Sequence, residues 1–253
     1  MNFGEFLPTP DTLACWHLNG NFDDASSYGH NGRVMDGFEL NGEKATTNVD
    51  FSKKKGRFGE GMYNTDDGSY IGFNTPIDDF QFQMNTPFTL SLWIRCFSYN
   101  SNGCNIIAVC NGEMDKGGYA ISYQNGNGGS NKIEIMFQMG CKDGWTVELD
   151  YPFPYTGYPT TWNENIWHNL IVTNDGTGGT DSFRMYLDGR EICKGTPEGG
   201  GDLDYKDKVL VIGSSSGSGT GLQAVDEIII EAVCWDAVKI KKYFTYCQGR
   251  FAR

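Results

Sequence analysis

The stretch Phe88-Thr89-Leu90-Ser91-Leu92-Trp93-Ile94-Arg95-Cys96 has the clearest pattern in the chain. In an extended backbone, one face carries the apolar residues Phe88, Leu90, Leu92, Ile94 and Cys96. The other face carries Thr89, Ser91, Trp93 and Arg95. Because successive side chains of a β-strand point to opposite faces of the sheet, this alternation predicts a half-buried strand.

Similar strand signals recur along the whole chain, and 34 glycines and 8 prolines punctuate them. Strands are predicted over residues 13–18, 60–64, 69–73, 105–110, 118–124, 131–139, 144–150, 166–174, 182–187, 208–213 and 223–233. Residues 19–32 are rich in turn formers and predict a loop, and Asp188-Gly189 predicts a tight hairpin turn. Asp236 begins the one predicted helix. This pattern indicates an all-β, two-sheet antiparallel sandwich with a short C-terminal helix.

The length of 253 residues suits one all-β domain. The stretch Gly213–Gly221 resembles a linker, but a strong strand signal follows it, so we predict a loop inside the domain. A single domain over residues 1–253 is therefore expected, with its core over about residues 11–247.

The net charge of -12 bears on the class of partner. An acidic surface repels phosphate backbones, so nucleic-acid binding is not expected. No apolar run approaches the roughly 18 residues of a membrane span, so membrane insertion is not expected. The first residues, Met1-Asn2-Phe3-Gly4-Glu5, lack the pattern of a signal peptide, which predicts synthesis and folding in a cytosol.

The chain has eight cysteines and none forms a C-x-x-C pair, so a zinc ribbon is not indicated. Reduced thiols are favoured, since no signal peptide points to an oxidising compartment. Disulfides remain the alternative. Cys104 and Cys110, predicted to lie on one hairpin, are the first pair to consider.

Seven segments, in this order, resemble the laminin-G-like branch of the concanavalin A-like lectin/glucanase superfamily. They are Leu13–Leu18, Asp23–Gly32, Gly56–Met62, Phe88–Ile94, Trp167–Thr173, Tyr186–Gly189, and Val225–Ile228 with Trp235–Val238. The resemblance implies a jelly-roll sandwich. It leaves function open, because this fold hosts lectins, adhesion modules, glycosidases and structural proteins.

Catalytic patterns are weak. Glycosidases of the superfamily carry an E-x-D-x-x-E run on one strand, and Glu148-Leu149-Asp150 begins such a run without a third acid. No G-x-S-x-G elbow is present. His17 and His168 lie beside tryptophans in predicted strands, where a core or sheet-face role is favoured. We therefore expect no enzymatic activity.

The resemblance also implies one structural calcium near the chain ends. Its ligands would be Asp23 or Asp24 with Asp226, helped by backbone carbonyls near Gly59. The alternative is that Asp23 and Asp24 are ordinary turn residues and that Asp226 accepts hydrogen bonds from loop amides.

An aromatic loop is the strongest binding signal in the sequence. It runs from Tyr151 to Trp162 and is stiffened by prolines. Its candidate contact residues are Trp145, Tyr151, Phe153, Tyr155, Tyr158 and Trp162. Such rings suit either the apolar face of a glycan or a subunit contact, and both readings stay open.

These observations favour a non-catalytic structural or binding protein. The leading hypothesis is a bacteriophage virion component, such as a head decoration, tail or fibre protein, which is oligomeric and contacts surface glycans. The alternatives are a soluble calcium-dependent lectin-like module, cytoplasmic or exported without a signal peptide, and a glycoside hydrolase with another layout.

Overall fold

The computed structural model describes residues 5–36, 49–51, 56–64, 69–73, 77–95, 104–110, 117–125, 133–141, 144–152, 166–199, 202–206, 208–213 and 224–248. The strands are β1 (Thr12–Trp16), β2 (Arg33–Asp36), β3 (Val49–Phe51), β4 (Met62–Asn64), β5 (Ser69–Gly72), β6 (Phe88–Arg95), β7 (Cys104–Cys110), β8 (Gly118–Asn125), β9 (Ile133–Cys141), β10 (Gly144–Pro152), β11 (His168–Asn174), β12 (Phe183–Leu187), β13 (Arg190–Gly195), β14 (Val209–Ile212) and β15 (Ala224–Glu231). A 3-10 turn spans Asp78–Phe80, and helix α1 spans Ala237–Gln248.

The described strands form two antiparallel sheets. One sheet has eight strands in the order β13-β12-β11-β6-β15-β4-β3, with β1 also paired to β15. The other has seven strands in the order β10-β9-β8-β7-β14-β5-β2. The predicted two-sheet sandwich with a C-terminal helix is confirmed, while the boundaries 1–253 and 11–247 stay predictions.

One apolar core lies between the sheets. From the eight-stranded sheet it takes the apolar face of β6, and from the seven-stranded sheet it takes Ile121, Phe137 and Leu149. The Phe88 and Phe137 rings lie 6.4 Å apart between centroids. Each large side chain removed from water here contributes about 1.5–3 kcal/mol, so this layer is the main source of stability.

The outer face of the eight-stranded sheet is also covered. Cys15, Ile171 and Ile229 pack there against Trp235 and Ile240. Phe6, in the N-terminal segment, packs against the same cluster, and its ring lies 5.7 Å from that of Trp235. Because α1 and the N-terminal segment form this third layer, all eight residues of β6 are buried. The prediction that β6 is only half-buried is therefore wrong.

The local turn and cap predictions agree with the structure. Asp188 and Gly189 have φ values of 50° and 74°, as the tight turn between β12 and β13 requires. Asp236 Oδ1 accepts a hydrogen bond from Lys239 N at 2.6 Å and so caps α1. Strands β2, β3 and β13 were not predicted. They are short or lie at sheet edges, where side chains need not alternate.

A Cys104–Cys110 disulfide, the first pair to consider if the chain held disulfides, does not fit the fold. The two residues lie at opposite ends of β7, and six residues of extended chain separate their Cα atoms by roughly 20 Å. A disulfide needs about 4.4–6.8 Å between Cα atoms. Elsewhere in the described part of the chain, Cys15, Cys193, Cys234 and Cys247 are free thiols. α1 is too short to span a membrane, and no other described helix could do so.

Candidate functional site

Three neighbouring strands of the seven-stranded sheet present polar side chains on the face opposite the core. Ser122 of β8 lies opposite Met136 of β9, which lies opposite Asp150 of β10. One pair further along, Gln138 lies opposite Glu148. Glu134 precedes Met136 by two residues and shares its face. We call this surface the acidic face, and it consists of Ser122, Glu134, Met136, Gln138, Glu148 and Asp150.

Strand alternation explains why the acidic face forms. Ile135, Phe137, Val147 and Leu149 point into the core, so the residues between them must point outward. Glu148 and Asp150 are exposed, whereas Met136 is buried between its polar neighbours. The result is a set of oxygen and nitrogen atoms around one apolar side chain.

The side chains of the acidic face interact with one another. Gln138 Nε2 donates a hydrogen bond to Glu148 Oε2 at 3.3 Å. Partial burial, together with the negative charges of Glu134 and Glu148, raises the pKa of Asp150. Glu134 supplies the third carboxylate of this face. It was not predicted from the sequence, because it comes from the neighbouring strand. Only the strand register brings it to the same face.

The first candidate calcium ligands, Asp23 and Asp24, differ in their surroundings. Asp24 Oδ1 accepts hydrogen bonds from Cys15 N and Ser26 N, each at 2.8 Å. Its Oδ2 accepts from His30 N at 2.8 Å and from Ser26 Oγ at 2.6 Å. The carboxylate therefore holds the loop before β2 in place through these hydrogen bonds. Asp23 is exposed at the surface of that loop.

The remaining candidate ligands are Asp226 and Gly59. Asp226 is fully buried in β15, and its Oδ2 accepts hydrogen bonds from Arg57 N at 2.6 Å and Phe58 N at 3.0 Å. Glu227 N donates to its Oδ1 at 2.8 Å. Burial and the charge of Glu227 raise the pKa of Asp226 well above its ordinary value, against the effect of these amides.

These surroundings do not fit a cation. Calcium binds oxygens, whereas the Asp24 and Asp226 carboxylates already face N–H and O–H donors. Gly59 lies in the turn that Asp226 caps, with φ of 144°. Among the residues that the structure describes, no group of three or more metal-ligating side chains comes together. The calcium site stays a prediction. The amide contacts of Asp226 match the alternative, in which this carboxylate accepts hydrogen bonds from loop amides.

A second polar cluster surrounds the bulge in β15. Glu227 is fully buried with φ of 49°, and His17 Nδ1 donates a hydrogen bond to its Oε2 at 2.8 Å. Phe6 N also donates to Glu227. The Cys15 thiol lies 3.9 Å from the His17 ring nitrogens. Burial strongly raises the pKa of this thiol, so it remains protonated and is not an activated nucleophile.

The predicted aromatic surface is described only at its start. Tyr151 is partly buried and packs against the core, on the opposite side of β10 from Glu148 and Asp150. Trp145 lies near the start of β10, where its backbone lies opposite Gly140 of β9. Phe153, Tyr155, Tyr158 and Trp162 lie outside the described residues. The aromatic surface itself stays a prediction.

Solved structures with the same fold include carbohydrate-binding and toxin domains. One is domain 4 of AbnA, a GH43 extracellular arabinanase from Geobacillus stearothermophilus, in complex with arabinotriose. The TM-score is 0.61 and the identity 15%, over 92% of this chain and 98% of that one. No curated protein matches the chain in sequence.

Two other similar structures come from a mosquitocidal protein and a botulinum neurotoxin. The binding domain of Paraclostridial Mosquitocidal Protein 1 has a TM-score of 0.63 and 14% identity, over 92% of this chain and 52% of that one. A structure of botulinum neurotoxin type C, whose cell entry depends on two ganglioside molecules, has a TM-score of 0.60 and 18% identity, over 94% and 51%. The chain spans about half the length of these two chains. At these identities the likeness shows the fold alone.

The family model of the concanavalin A-like lectin/glucanases superfamily, of the laminin G type, matches residues 66–230. That range covers more than half of the 253 residues and contains β6 to β14, including the three strands of the acidic face. The chain therefore belongs to the concanavalin A-like lectin/glucanases superfamily.

Proposed function

We propose that the chain is a non-catalytic glycan-binding protein and that the acidic face is its binding site. The observation that carries this proposal is the alignment of three carboxylates, one amide and one hydroxyl on a single sheet face. Within the described part of the chain, the Asp150 carboxylate makes no hydrogen bond, so it is available to a ligand.

The chemistry of the acidic face suits a sugar. Carboxylate oxygens accept hydrogen bonds from sugar hydroxyl groups, and hydrogen bonds to charged acceptors are stronger than neutral ones. Met136 adds an apolar surface for the C–H groups of a sugar ring. The domain of AbnA that shares the fold holds arabinotriose, which supports a role of the same kind here.

A glycan array with the purified chain tests the proposal. We expect binding by the unmodified chain and a loss of at least about tenfold in affinity for Asp150→Ala and Glu148→Ala, corresponding to roughly 1.4 kcal/mol each. Asp11→Asn is the matched control, since it removes one exposed carboxylate elsewhere. Full binding by both acidic-face variants would place the site elsewhere.

Glycoside hydrolysis is the second candidate, favoured by one observation. Glu148 and Asp150 lie on the same face two residues apart, so their Cα atoms are about 7 Å apart. Glycoside hydrolases use two carboxyl groups that flank the scissile bond, and two carboxylates on one strand face supply such a pair. A reducing-sugar assay on polysaccharides decides between the two functions. Product that forms with the unmodified chain but not with Asp150→Asn would establish hydrolysis.

A place in a bacteriophage virion is a separate proposal, supported by the sequence pattern alone. Copurification of the chain with intact particles, at a fixed copy number, would support it. Light scattering on the isolated chain would test the predicted oligomer.

A further inference from the structure

A second exposed surface lies at the other edge of the seven-stranded sheet. The loop that precedes β2 carries Tyr28, whose side chain is 46% exposed. The Tyr28 ring stacks on the His30 ring, with centroids 5.8 Å apart and an interplanar angle of 25°. His30 Nε2 donates a hydrogen bond to Asp79 Oδ2 at 2.9 Å. An exposed aromatic ring is thus linked through His30 to a carboxylate.

The loop beneath Tyr28 is fixed by buried groups. Asp24 accepts a hydrogen bond from His30 N, and its own N–H donates to Asn31 Oδ1 at 2.8 Å. Trp16 Nε1 donates to His30 O at 2.8 Å. The edge of the His30 ring also meets Phe80, with centroids 5.0 Å apart. Since the loop is ordered before any ligand arrives, binding costs little conformational entropy.

The polar rim of this surface is acidic. Asp78 and Asp79 are both exposed in the 3-10 turn, and Gln81 Nε2 donates to Asp78 Oδ1 at 2.8 Å. These oxygens accept hydrogen bonds from hydroxyl groups, whereas they repel a carboxylate or a sulfate. The net charge of -12 adds to that repulsion.

We propose that Tyr28, His30, Asp78, Asp79 and Gln81 form a second sugar-binding site, the Tyr28 platform, that takes an uncharged sugar ring. The apolar face of the ring stacks on Tyr28, and its hydroxyls donate to the aspartates. This proposal depends on the proposed function only in taking a glycan as the ligand. The Tyr28 platform shares no residue with the acidic face.

The two sites are far apart. β9 and β2 are five positions apart in the seven-stranded sheet, which corresponds to roughly 24 Å at the usual strand spacing. One long glycan, or two separate chains on a surface, would engage both sites. Binding at both raises the overall affinity above that of either site.

Isothermal titration with arabinotriose, maltotriose and mannotriose tests the platform. The variants are Tyr28→Ala, the double variant Glu148→Ala/Asp150→Ala, and all three substitutions combined. Tyr246→Ala is the matched control, because it removes another exposed tyrosine, on α1. We expect the double variant to retain binding that the added Tyr28→Ala abolishes, while Tyr246→Ala changes nothing. Unchanged melting midpoints show that the variants fold.

Other outcomes separate the two proposals. Binding that is lost in the acidic-face variant and unaffected by Tyr28→Ala would overturn the platform and keep the proposed function. The reverse would keep the platform and overturn the acidic face. Binding of sialyllactose as tightly as maltotriose, lost on Tyr28→Ala, would contradict the uncharged class of ligand.

Discussion

His17 Nδ1 donates a hydrogen bond to Glu227 Oε2 at 2.8 Å, and the Glu227 side chain is fully buried. Phe6 N donates to the same carboxylate. Asn19 Nδ2, two residues after His17, donates to Glu5 Oε1 at 2.6 Å. This network fastens the N-terminal segment over the outer face of the eight-stranded sheet, next to α1.

The stability of the chain should depend on pH through this pair. Burial lowers the pKa of His17, but the hydrogen bond and charge of Glu227 outweigh burial and raise it. Burial raises the pKa of Glu227 even against the effect of His17. The folded chain thus binds more protons than the unfolded chain, so the free energy of unfolding falls as the pH rises. For His17 the loss begins above about pH 6.5.

Chemical denaturation between pH 5 and pH 9 measures this effect. We expect the free energy of unfolding to decrease across the range and the decrease to be smaller in His17→Gln/Glu227→Gln, whose two amides still bond without titrating. Asp11→Asn is the control and should follow the unmodified chain. Equal slopes for the double variant and the unmodified chain would show that the pair does not carry the dependence.

Asp24 should be the more important of the two adjacent aspartates for stability. Asp24→Ala removes the acceptor for four hydrogen bonds, and we expect it to cost about 3 kcal/mol of the free energy of unfolding. Asp23→Ala changes an exposed side chain and should stay within about 0.5 kcal/mol. Urea denaturation of the two variants checks this, and similar losses would contradict the account.

Calcium should not stabilise the chain. A ligand that binds only the folded state raises the melting midpoint as its concentration rises. Since Asp24 and Asp226 face amide donors, we expect the same midpoint in calcium and in chelator. A rise with calcium that Asp226→Asn removes would instead establish the predicted site.

Cys104 and Cys110 should not form a disulfide with each other. Because Cys104 and Cys110 lie at opposite ends of one strand, no disulfide can join them in the folded chain. Peptide mapping of the native, alkylated chain should recover each of them unpaired with the other. A peptide that links the two would contradict the strand assignment.

The recurring strand signals, of which the alternation over Phe88–Ile94 is the clearest, and the Asp188-Gly189 turn predicted the sandwich, because they follow local rules of backbone and side-chain direction. The burial of Trp93 was not predictable in this way. It depends on α1, which is more than 140 residues away in sequence and packs Phe244 on Trp93 with centroids 5.9 Å apart. The strand pattern cannot show what covers its second face.

Only part of the acidic face could be predicted from the sequence. Glu148 and Asp150 alternate on one strand, so their shared face followed from the spacing. Glu134 joins them through the register of β9 against β10, which places it opposite Pro152. Register depends on bulges and turns between the strands, and β10 has such an irregularity between Trp145 and Val147.

Amide chemical-shift mapping with the best-bound array glycan tests the central claim most directly. Glycan binding at the acidic face predicts saturable shifts centred on residues 120–122, 134–138 and 148–150, with a separate group at residues 28–30 and 78–81 if the Tyr28 platform also binds. Shifts confined to α1, or no saturable shift with any glycan, would contradict glycan binding by this sheet.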